Sequence, residues 1–65
     1  MKNFTYTLIG KKGIEGRKQL FGTYEQAMKE LAAQVYTNKR FHKGKKIVLW
    51  DMSAGAGVAL QSVTL

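Results

Sequence analysis

Residues Phe4-Thr5-Tyr6-Thr7-Leu8-Ile9 alternate in period two and are almost all β-branched or aromatic. That pattern predicts a half-buried strand. Gly10-Lys11-Lys12-Gly13-Ile14-Glu15-Gly16 follows, and its three glycines supply the backbone freedom of a hairpin loop over 10–16. Arg17 to Phe21 predicts the return strand, with an apolar anchor only at Leu20 and Phe21. Its polar character suits a sheet edge, where lysine discourages unwanted pairing.

Gly22 stops that strand and Thr23 starts a helix. Thr23 with Gln26 forms a Thr-x-x-Gln capping box, and Glu25 places an anion in the first turn. Tyr24, Met28, Leu31 and Val35, flanked by Ala27 and Ala32, form an apolar stripe, with Gln26, Lys29, Glu30 and Thr37 opposite. The helix therefore spans Tyr24 to Thr37, with Asn38 as a left-handed stop and Lys39 and Arg40 beside its last carbonyls. Ile47-Val48-Leu49-Trp50 is a continuous apolar run and predicts a third strand. A turn over 53–57 leads to a last strand from Val58, with Val58, Leu60, Ser62 and Thr64 opposing Ala59, Gln61, Val63 and Leu65. The fold class is thus α+β, order ββαββ: one helix on one face of a four-stranded antiparallel sheet. Strand order 2-1-3-4 keeps both hairpins intact and makes every neighbour antiparallel.

Chain direction locates the charge. A helix of about 13 residues and a strand of about six each span roughly 20 Å. The helix must climb back along the sheet and end beside the first hairpin's loop. Nine of the eleven basic residues lie in the two segments this brings together. Lys11, Lys12, Arg17 and Lys18 come from the first, and Lys39, Arg40, Lys43, Lys45 and Lys46 from the second. Glu15 is the one acid among them. A net charge of +7 on 65 residues implies an acidic partner: nucleic acid, an anionic membrane or an acidic protein surface, of which nucleic acid or an acidic protein surface is the expected one. These nine residues and His42 form the expected anion-binding set.

A chain this short forms one domain with a thin core. It has no cysteine, so neither a disulfide nor a thiolate–metal site supplements that core. No stretch reads as a membrane span or signal peptide, and a soluble, cytoplasmic protein is expected. Phe4, Tyr6, Phe21, Tyr24 and Trp50 are expected between sheet and helix, whereas Phe41 sits within the second basic stretch and has either an anchoring or a stacking role. One histidine and four scattered carboxylates offer no metal-ligand spacing. His42 has no second titratable group at a catalytic spacing, and Ser53 and Ser62 have no nucleophile context. Gly10-x-x-Gly13-x-x-Gly16 precedes a strand rather than a helix, so it is no nucleotide-binding loop. No catalytic residue, cofactor or small-molecule substrate is expected.

A single helix leaves one sheet face uncovered. Thr5, Thr7 and Ile9 belong there, with either Ile47 and Leu49 or Val48 and Trp50. Thr5, Thr7, Ile9, Ile47 and Leu49 are the expected protein-interaction set, for a homodimer or another protein. The plan resembles that of small phage-encoded early proteins that bind and inhibit host enzymes, including podophage inhibitors of RNA polymerase. The resemblance lies in the threonine/aromatic strand Phe4 to Leu8, the polar hairpin loop and the Thr23-x-Glu25-x-Ala27 helix start. It implies a host protein as the alternative partner. Those inhibitors are often acidic where this chain is basic.

Overall fold

Alternating residues of the first strand turn Phe4, Tyr6 and Leu8 toward one side of the sheet, and the helix packs there. The computed structural model describes residues 1–65. It contains β1 (Lys2–Gly10), β2 (Gly13–Gly22), α1 (Tyr24–Asn38), β3 (Lys46–Asp51) and β4 (Val58–Thr64). The sheet order is β2-β1-β3-β4 and every pair is antiparallel, as the sequence predicts. Tyr6 lies opposite Leu49 and Leu8 opposite Ile47, so the central strands present one apolar face. Phe4, Tyr6, Ala27, Leu31, Ile47 and Leu49 form the core, bordered by Leu8, Leu20, Met28, Val35, Val63 and Leu65. The buried Tyr6 hydroxyl donates to the Ala27 carbonyl at 2.7 Å, tying helix to sheet.

Several details depart from the sequence pattern. The first hairpin is longer than expected: β1 and β2 stay paired as far as Gly10 and Gly13, and only Lys11 and Lys12 make the turn. Gly13 adopts φ of 109°, which a side chain would disfavour. The pairing shifts between Leu8 and Ile9, leaving Glu15 as the extra residue of a bulge. The apolar stripe of α1 is narrower than expected. Ala27 and Leu31 are buried, Met28 and Val35 half-buried, and Ala32 and Tyr24 exposed. Tyr24 opens the helix at the sheet's end, beyond the reach of the core. Phe21 is also exposed, because its partner Asn3 belongs to the opposite side of β1 from Phe4.

Asn38 is not a left-handed stop. No non-glycine residue has positive φ, and Lys39 caps the helix in right-handed geometry. Asn38 instead bonds back through its side chain to the Gln34 carbonyl at 2.7 Å, and the chain takes its left-handed step at Gly44, φ 89°. In β4 a bulge opposite Leu49 and Trp50 leaves Leu60 unpaired. Val58 consequently shares a side with Gln61 and Val63, and Ala59 a side with Ser62 and Thr64.

Candidate nucleic-acid interface

β1 reaches its end at Gly10 where β3 begins, with Ile9 opposite Lys46. The Lys11–Lys12 turn therefore stands beside the segment joining α1 to β3. Leu65 fastens that segment: its amide donates to the Lys45 carbonyl at 2.8 Å, and its own carbonyl accepts from Gly44 N at 2.9 Å. Between turn and segment runs a groove of about 620 Å³, lined by Lys11, Lys12, Glu15, Lys43, Lys45 and Lys46.

One acid organises this groove. The Glu15 bulge reaches across it to pair with the Lys45 ammonium. Lys45 Nζ also lies 3.3 Å from Nδ1 of the half-buried His42. A charged ammonium only donates, so the imidazole nitrogen accepts. Arg17 and Lys18 diverge, as neighbours in a strand must. Arg17 stands opposite Thr7 on the side away from the helix, whereas Lys18 stands opposite Tyr6 and pairs with Glu30 at 3.4 Å. Lys39 and Arg40 are exposed immediately beyond α1. Of the nine cations in the two segments, Lys18 and Lys45 have acidic partners; Lys11, Lys12, Arg17, Lys39, Arg40, Lys43 and Lys46 have none.

The opposite end is locally balanced. Lys2 pairs with Asp51 at 3.5 Å, and the Asp51 carboxylate accepts from Ser53 N at 2.9 Å. Hydrogen bonding from Ser53, with a smaller contribution from the Lys2 ammonium, holds the Asp51 carboxyl below its ordinary pKa.

The open sheet face differs from the expected set. Ile47 and Leu49 are turned to the helix, 2% and 0% exposed, so the open face takes Val48 and Trp50 instead. The register decides this: Ile47 and Leu49 sit opposite Leu8 and Tyr6, which already face α1. Thr5 and Ile9 are half-buried, but Thr7 is buried, its hydroxyl accepting from the Trp50 indole N–H at 2.9 Å. The indole thus lies across the face that a partner would otherwise cover. Ile14, opposite Ile9, and Phe21 remain exposed along the β2 edge.

A smaller groove of about 430 Å³ separates β2 from the end of α1, and Arg17, Lys18, Glu30, Gln34 and Asn38 border it. Neither the Glu15–Lys45 pair nor the Trp50–Thr7 bond was legible in the sequence, since each joins residues at least 30 positions apart. No three His, Cys, Asp or Glu side chains are grouped to hold a metal ion. No helix is long and apolar enough to cross a membrane. Comparison of the chain with protein-family models, curated proteins and solved structures returned no match.

Proposed function

We propose that this protein is a non-enzymatic binding module for nucleic acid or another polyanion, acting in the cytoplasm through its basic pole without a cofactor. One observation supports this reading above the rest. The groove between two lysine-bearing segments has a single acid on its walls, and seven cations of those segments lack acidic partners. Such a surface attracts phosphates and releases their counterions on binding. Lysines on turns read charge rather than base edges, so sequence preference is weak. His42 has a role in shaping this pole through Lys45 rather than in proton transfer.

Salt titration tests the proposal. With about five phosphate contacts on a duplex, log affinity falls against log salt with a slope near −4 to −5. Replacing Lys11, Lys12, Lys43 and Lys46 together by alanine makes that slope shallower, by about 0.9 for each contact removed. Lys45 is left intact in this variant because removing it would strand Glu15. The absence of polyanion binding at low salt overturns the proposal.

A protein partner is the second reading, in keeping with the resemblance to phage-encoded inhibitors. Exposed Ile14 and Phe21 on the β2 edge favour it, as does an almost wholly exposed β4. The partner is then an acidic protein surface or a second copy of the chain. Sedimentation at micromolar concentration separates the two forms, a dimer supporting the second copy.

A further inference from the structure

Phe41 lies in the middle of the second basic segment and is 75% exposed, so it does not anchor that segment to the core. The backbone around it is nonetheless well tied. Phe41 N and His42 N both donate to the Asn38 carbonyl, at 3.1 and 2.9 Å, and Lys45 N donates to the His42 carbonyl at 3.0 Å. Beyond these, Leu65 pins Gly44 and Lys45. A ring carried on a fixed turn loses less conformational freedom on binding than one on a mobile loop.

Its neighbours narrow the choice of ligand. Lys39, Arg40 and Lys43 flank the ring in sequence, and none of them has an acidic partner. An apolar protein surface docking on Phe41 would strip water from these cations without neutralising them, which is costly. The fitting ligand has a flat apolar face and carries negative charge alongside. An unpaired nucleobase on its phosphate backbone meets both conditions. In a duplex the base faces are already stacked on one another, so a protein ring stacks on bases of a single strand.

We infer that the basic pole takes single-stranded nucleic acid, with Phe41 stacking on one base while the surrounding cations hold the flanking phosphates. This rests on the polyanion reading above, and three probes keep the two apart: a single-stranded oligonucleotide, a duplex of equal length and inorganic polyphosphate. F41A is expected to weaken single-strand binding about tenfold, the effect of losing one base–aromatic stack. F41W restores it. Polyphosphate binding and the salt slope stay at wild-type values, because no charge is removed. An F41A variant equal to wild type on the single strand overturns the inference, as does an equal loss on polyphosphate or tighter binding to the duplex. If wild type binds polyphosphate yet Phe41 is indifferent, only the stacking inference fails. If wild type binds none of the three probes, the polyanion reading fails with it. Circular dichroism of F41A checks that the exposed site leaves folding unchanged.

Discussion

Tyr6 couples the two layers of the molecule. Its ring is 2% exposed, and its hydroxyl donates to a helix carbonyl of Ala27. Burial, and to a lesser degree the negative charge of Glu30, raises its pKa above the ordinary 10.0. The folded state therefore holds the proton more tightly than the unfolded state. The stability this contributes is fully present below about pH 10 and is lost as pH rises through the raised folded value. Urea unfolding followed across alkaline pH is expected to show this decline, and Y6F to reduce it. At neutral pH the same variant loses about 1 kcal/mol with the hydrogen bond. A Y6F protein with an alkaline decline as steep as wild type contradicts this account. Both halves of Tyr6's role differ in legibility: strand alternation marks the ring as buried, but only the packed helix brings the Ala27 carbonyl to the hydroxyl.

At the scale of elements, α1 has a well-defined start and an improvised end. Thr23 is extended, with φ −86° and ψ 162°; its Oγ1 accepts from Gln26 N at 3.2 Å, and Gln26 Oε1 accepts from Thr23 N at 2.9 Å. A Cβ at Gly22 would lie 2.3 Å from Gln26 Oε1, so the residue before the cap must stay small for this bond to form. T23A is expected to lower stability by about 1 kcal/mol in chemical denaturation, and T23S to stay close to wild type. A T23A protein as stable as wild type would show the box to be idle. The capping box is readable because it is local, its partners lying three residues apart. The helix end is not readable in the same way. Asn38 is equally suited to a left-handed stop or to bonding back to Gln34, and the following turn chose the second.

For the whole molecule the governing quantity is the separation of charge. The chain has four acids, and pairs with Glu15, Glu30 and Asp51 neutralise Lys45, Lys18 and Lys2, leaving the basic pole to repel itself. Salt screens such repulsion over a Debye length of about 10 Å at 0.1 M. Melting temperature is therefore expected to rise as sodium chloride is raised from low to moderate concentration, and K43E to raise it at low salt. A melting temperature that falls with salt would mean that the three ion pairs outweigh the unpaired cations.

What the sequence determined by itself is what depends on near neighbours: strand alternation in Phe4 to Ile9, the helix begun at Thr23, and the order ββαββ with its antiparallel sheet. Chain direction and element length also sufficed to bring the Lys11–Lys12 turn beside the Lys43–Lys46 stretch, because a helix and strands of matching span leave little choice, whereas Arg17 and Lys18 sit at mid-strand opposite Thr7 and Tyr6. Contacts across the sheet were decided only by the tertiary structure. The run Ile47 to Trp50 is apolar at every position, so its own periodicity cannot choose a face; pairing with Leu8 and Tyr6 turned Ile47 and Leu49 inward. The same register set Trp50 over Thr7, and the bulge after Leu8 placed Glu15 within reach of Lys45. A one-residue shift in pairing reverses which side chains share a face, and such a shift leaves no trace in local sequence.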